Sequence, residues 1–452
     1  MTTPGDPQAL LRSRAYVSLL VLAAVIGAPI SALAWGFLAL VSKLQGWLFT
    51  SLPKALGFHG EPLWWPVPFL VLAGLLVGLT IRYLPGKGGH SPADGFKARG
   101  APTPIELPGV IFAALATLSL GAVLGPEAPL IAIGGGLGVL AVRLAKRDAP
   151  QRTTAVVAAA GSFASISTLF GNPLLGAFLL MEASGLGGPT LELVLLPGLV
   201  AAGVGSLIFI GLGSWSGLGT FSLTIPDLPH VGLPNVAELC WALVIGVLAP
   251  VLALGIRWLA LFLRPHVERR LVLVTPVAGL AVAGLAIAFA AGTGKSSSEV
   301  LFSGQDALGP FITSSASYTV SALLLLIACK GLAYSVSLSG FRGGPVFPAL
   351  FLGAAGGMAL SHLPGLPLIP AVAMGLGAMS VAMLNLPLTS VLLATLLLGS
   401  DGVTDMPLAI IAVAVSYIVS ARIAVPAQSP ASPAGGGAQP SVSPPAGRGS
   451  GP

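Results

Sequence analysis

The chain has 452 residues, 55% of them hydrophobic and 8% charged, with a mean hydropathy of +0.94. A soluble domain carries about a quarter of its residues as Asp, Glu, Lys and Arg, so a water-covered surface is excluded and lipid is the solvent for most of the chain. The net charge of +6 comes from basic clusters beside apolar spans, which excludes the basic face on a soluble domain that a nucleic-acid partner requires.

Residues 1–14 form a polar start with Arg12 and Arg14, expected to be a cytoplasmic N-terminal segment. The apolar run that follows is too long to be the core of a signal peptide. Segments of the length that crosses a bilayer, about 17–25 apolar residues, are Tyr16–Val41, Trp65–Leu84, Leu191–Leu212, Val236–Leu263, Leu273–Ala291, Tyr318–Val336 and Ala409–Ile423. Between them lie shorter apolar stretches: Ile105–Leu124, Pro129–Leu144, Thr154–Leu169, Pro173–Met181, Pro345–Leu360, Pro370–Met383 and Pro387–Leu398. Several of these are too short to span alone. The 60 glycines and 39 prolines fall largely inside apolar sequence. Broken backbone persists at membrane depth only where protein buries it or it lines a watery cavity, so an all-α, polytopic protein with discontinuous membrane helices is predicted.

Arg143–Arg152 and Arg264–Arg270 are basic clusters at span ends and are expected on the cytoplasmic side. Cys240 and Cys329 sit in apolar spans and read as small core residues. Residues 426–452 are mostly Pro, Ala, Gly and Ser and are expected to be disordered.

The two halves carry matching signals. Gly125-Pro126-Glu127-Ala128-Pro129 opens one apolar helix and Gly344-Pro345-Val346-Phe347-Pro348 opens another. Downstream, Asn172-Pro173-Leu174 and Asn385-Leu386-Pro387-Leu388 open a second pair in the same order. This predicts a duplication, with repeat one at about 15–215 and repeat two at about 235–425 of a membrane domain 15–425. In an inverted repeat the broken-helix starts converge near the midplane. Each start offers unpaired N–H groups and a partial positive charge, so several together bind an anion without a lysine.

Glu127 is a carboxylate at a helix start inside apolar sequence, where a charge costs a few kcal/mol or more. Two readings stand: a cap for its own helix, or a carboxylate that competes with a passing anion for the same N–H groups. Glu182 ends the Pro173–Met181 helix, either as an interfacial helix end or as part of a proton path. Lys330 in Leu323–Val336 is either snorkelling or internally paired. Arg342 either adds positive potential at a pathway entrance or lies in an interfacial loop. The glycine-rich Pro85–Gly95 stretch lacks a nucleotide-binding signature. Its His90 and Ser91 are candidates for an anion contact, His90 also for a plain loop residue.

These motifs resemble the CLC family of chloride channels and chloride/proton antiporters over Tyr16 to Ile423. The resemblance implies an inverted repeat, a homodimer with one anion pathway per subunit, and a multi-pass place in the cell membrane. It puts Glu127 on the gating glutamate and Gly125, Ala128, Gly344, Val346 and Phe347 along the anion path, with Gly89, His90 and Ser91 as the third side. Departures accompany it. Gly89 stands where the family has an anion-binding serine, Pro345 removes one backbone donor, and Ala183 stands where antiporters carry an internal glutamate, with Glu182 beside it as a stand-in. Tyr417 lies inside the last span, away from the family's late pore tyrosine. The expected function is transport of small inorganic anions, chloride by default, with channel-like conductance ahead of proton-coupled exchange and fluoride as an alternative. No cofactor or metal is expected, and no motif of a membrane enzyme is present.

Overall fold

The structure is a computed structural model that describes residues 13–96, 100–185, 189–216, 225 and 232–423. The tail 426–452 and most of the segment 1–14 lie outside the described residues. The described chain is nearly all helical, and nine of its helices are long and apolar enough to cross a membrane.

In chain order the main elements of the first half are α1 (Arg14–Gly46), α2 (Pro66–Tyr83), α3 (Leu107–Ser119), α4 (Glu127–Ala145), α5 (Gln151–Phe170), α6 (Pro173–Ser184) and α7 (Pro189–Ser216). Those of the second half are α8 (Val236–Arg269), α9 (Leu271–Thr293), α10 (Val320–Gly340), α11 (Val346–Leu360), α12 (Leu368–Leu384), α13 (Pro387–Leu397) and α14 (Gly399–Ile423). Helix starts follow local chemistry. Asn172 caps α6 by accepting from the N–H groups of Leu174 and Leu175. Asn235 and Glu238 form a reciprocal capping box at α8. Prolines at first positions open α6 and α13, where a missing N–H costs nothing.

Sequence and structure differ at three places. Pro129–Leu144 and Thr154–Leu169 group with the shorter stretches by hydropathy, yet α4 and α5 run to 19 and 20 residues and are long enough to cross. Polar residues such as Glu127, Gln151 and Arg152 join their first turns and extend them. Cys240, expected in the core, is exposed on α8, whereas Cys329 is buried.

The core lies along α5 and α12, whose faces are buried nearly all round. Helices such as α1, α8 and α9 turn apolar side chains outward (Val21, Leu248, Val277), as a lipid-facing ring does. The two halves pack by the same device. A Cβ on Gly134 of α4 would strike the carbonyl of Gly161 on α5, and one on Gly161 would strike the carbonyl of Gly134. Gly353 of α11 and Gly375 of α12 face each other in the same reciprocal way. One turn further along, Gly138 meets Val157 O and Gly357 meets Ala371 O. Small residues let membrane helices approach closely where no hydrophobic driving force brings them together.

Lys330 is fully buried on α10. Its Nζ donates to the carbonyls of Glu299, Val300, Leu301 and Phe302 at 2.9–3.4 Å and lies 4.4 Å from the Phe351 ring centroid. The lysine is therefore internally paired. It ties the turn after Ser297–Glu299 to α10, and the N–H of Phe302 in that turn donates to Gly121 O in the other half.

The crossing glycines yield a direct test. Gly161→Leu forces α4 and α5 apart and is expected to cost about 3 kcal/mol or more, read as a large drop in melting temperature of the detergent-purified protein. Gly203→Leu, where an added side chain meets open space, is the control expected to melt near wild type.

Candidate functional site

The site is built where the motif segments of the two halves meet. Gly125 N–H donates to Gly344 O at 2.7 Å and Gly344 N–H donates to Gly125 O at 2.6 Å, a two-residue antiparallel bridge between irregular segments. A second reciprocal pair flanks it. Val123 N–H donates to Ser337 Oγ at 3.1 Å, and Arg342 N–H donates to Thr117 Oγ1 at 3.3 Å. Backbone groups that no helix can satisfy are thus satisfied by the other half, as membrane depth demands.

The bridge points α4 and α11 away from one spot. Glu127, the first residue of α4, is completely buried. Its Oε1 accepts from the N–H of Phe347 in the first turn of α11 at 2.9 Å. Its Oε2 meets no hydrogen-bond partner among the described residues. The carboxylate lies over the two bridge glycines, because a Cβ built on either Gly125 or Gly344 would collide with its oxygens. Glu127 therefore spends its charge on the helix start of the opposite half. Of the predicted path residues, Gly125, Gly344 and Phe347 touch it. Val346 is buried at the first position of α11, and Pro345 offers no N–H, so Phe347 is the donor seen.

Ala128 and the third-side residues meet elsewhere. A cavity of about 260 Å³ is lined by Gly86, Gly88, Gly89, His90 and Ser91 of the glycine-rich loop, by Ala128 and Pro129 of α4, by Ser162 of α5, and by Arg342, Gly343 and Pro345 of the second motif. A much smaller pocket of about 30 Å³ lies against Leu124 and Pro126, with Gln45, Gln305 and Asp306 in its wall. Pro126 and Ala128 flank Glu127 and face different hollows.

The cavity loop has a strained shape. Gly86, Lys87, Gly88 and Gly89 have φ of 76°, 49°, 70° and 92°. Three of the four are glycines, which adopt this region freely. Arg264 pairs with Asp94 at 2.5 Å and with Glu268 at 2.6 Å, which ties this loop to the basic end of α8.

Two contacts have no sequence signal. Tyr334 of α10, fully buried, donates its hydroxyl to Pro345 O at 2.9 Å and so braces the second motif. Tyr417 is 42% exposed on α14. Glu182 accepts from Leu388 N–H at 3.0 Å, Thr389 N–H at 2.9 Å and Thr389 Oγ1 at 2.7 Å. Leu386 supplies no side-chain cap for α13, and Glu182 caps that helix from the end of α6, in the other half.

The chain matches the family described as "Voltage gated chloride channel" over residues 73–421 and belongs to that family. It is 30% identical over 367 residues to the "Putative ion-transport protein YfeO" of Escherichia coli O1:K1 / APEC, covering 79% of this chain and 82% of that protein. Its fold is similar to that of a slow cyanobacterial Cl−/H+ antiporter, with a TM-score of 0.71, 18% identity, and coverage of 89% of this chain and 94% of that one. A CLC-type fluoride/proton antiporter superposes with a TM-score of 0.68 at 19% identity, covering 89% and 95% of the two chains.

The capping contact is testable. Glu182→Ala is expected to cost about 1 kcal/mol, the usual worth of a helix cap, with Glu182→Gln intermediate. Thermal melts would show both losses, and the pH dependence of anion flux is expected to stay as in wild type.

Proposed function

We propose that this member of the voltage gated chloride channel family moves small inorganic anions, chloride first among them, across the cell membrane along a path closed by Glu127. The observation that carries this reading is the position of the Glu127 carboxylate. It is a negative group held by the N–H of a facing helix start and seated over two glycines, and its chain neighbours Pro126 and Ala128 line two separate hollows. A free anion would want the same N–H and the same glycine-lined space. Competition between the two makes the side chain a gate, because only one negative charge can be desolvated there at reasonable cost.

Channel-like conductance is the preferred form. Glu182, the carboxylate considered for a proton path, has both oxygens engaged at the start of α13, so it serves as a cap and not as a carrier. Proton-coupled exchange is the second reading. It is favoured by the fold likeness to two antiporters and by the unpartnered Oε2 of Glu127, which can take a proton without breaking the Phe347 bond. Fluoride as the carried ion belongs with this second reading. A homodimer with a pathway in each subunit completes the proposal, and the carried ion is its only small-molecule partner.

Glu127→Gln in proteoliposomes is expected to raise anion flux severalfold and to flatten its pH dependence, since an amide neither repels an anion nor titrates. Flux equal to wild type at every pH would return Glu127 to a capping role. A chloride gradient that drives protons uphill in wild type, and stops doing so in Glu127→Ala, would replace the channel form with the exchanger.

A further inference from the structure

The wall of the cavity beside Glu127 holds a cation that forms no ion pair among the described residues, though Glu268 and Asp94 attract it through space. Arg342 precedes the bridge segment, and its guanidinium is fixed rather than free. Nε donates to Lys87 O at 3.3 Å and Nη1 to Phe341 O at 3.2 Å, both of them neutral carbonyls. The glycine-rich loop is shaped around it, for a Cβ on Gly88 would lie 3.3 Å from Arg342 Cγ and 2.9 Å from Ala113 Cβ. The remaining N–H groups of the fork meet no acceptor among the described residues.

The acids that would neutralise it are committed elsewhere. Asp94 and Glu268 are both bound by Arg264. Glu106, the carboxylate in the cavity wall, turns Oε2 to the N–H of Thr103 at 2.7 Å. A guanidinium keeps its proton at neutral pH, so the positive charge is present. The same cavity reaches Ala128 and Gly343, the neighbours of Glu127 and Gly344. A positive, oriented, unpaired guanidinium in a hollow one residue from a closed gate is a binding site for a small anion.

We propose that Arg342 forms an anion subsite in this cavity, which loads a halide or a planar monovalent oxyanion next to the gate before Glu127 yields. The proposal rests on Glu127 being the gate only for the order of events, since the subsite itself is a matter of equilibrium binding. Arg342 binds by charge and by a planar fork of donors, and lysine can replace only the charge.

The test is calorimetric titration of sodium chloride, sodium fluoride and sodium nitrate into the full chain in detergent, with proteoliposome flux measured in parallel. Arg342→Gln is expected to weaken the best-bound anion by about tenfold or more, the scale of one charge-assisted hydrogen bond. Arg342→Lys guards against a folding defect in the glutamine variant. It is expected to keep most of the chloride affinity and to lose more of the nitrate affinity. Wild type that binds none of the three anions overturns the proposal, as does Arg342→Gln that binds like wild type. Arg342→Lys that keeps both affinities unchanged overturns the role of the fork. If Glu127→Gln leaves flux untouched while Arg342→Gln still weakens binding, the gate falls and the subsite stands. If Glu127→Gln releases flux and Arg342→Gln binds as tightly as wild type, the gate stands and the subsite falls.

Discussion

Two short hydrogen bonds between Gly125 and Gly344 hold the centre of this molecule together. Each half brings an interrupted helix to membrane depth, where an unmet N–H or carbonyl costs several kcal/mol. Neither interruption can be satisfied within its own half, so each answers the other. Once they are paired, α4 and α11 must leave from adjoining points in different directions, and their first turns face one another. The N–H of Phe347 is then available to Glu127 and to nothing on its own helix. The placement of Glu127 and the bridge come from one constraint. A side chain at either glycine would take the place that the carboxylate occupies.

The halves share geometry but divide the chemistry. The crossing of α4 with α5 and that of α11 with α12 use glycines at corresponding positions, and both end in a broken connection that starts a further short helix. The first half supplies the acid, Glu127. The second supplies the donor, Phe347, the brace, Tyr334, and the cation, Arg342. Glu182 repeats this exchange at the rim, where an acid from the first half caps a helix of the second. The candidate site is assembled from unlike contributions placed on like supports.

Much of this was readable in the residues. The lipid environment follows from 8% charge, and the meeting of the two Gly-Pro-x-x-Pro segments was prefigured by their matching order in the chain. Glu127 stands out because a lone carboxylate in apolar sequence needs a reason. What could not be read were pairings across the halves. Lys330 looked equally like a snorkelling residue until four carbonyls closed on it. Glu182 looked like an interfacial end because its hydrogen-bond donors lie in the other half of the chain. Tyr334 carried no signal, since a tyrosine in an apolar helix is ordinary until its hydroxyl finds Pro345. Cys240 was misplaced for the opposite reason. In a membrane protein an apolar span does not tell which face meets lipid and which meets the core.

The Gly125–Gly344 bridge also bears on how the path can open. Rocking one half against the other about a central site would have to break both of its hydrogen bonds, and the Val123–Ser337 and Arg342–Thr117 bonds with them. Turning the Glu127 side chain breaks one bond, to Phe347. Rotamer changes are intrinsically faster than the collective rotation of packed helices. The seam between the two halves is thus built as a weld rather than a hinge, and under the proposed function the part left to move is a single side chain.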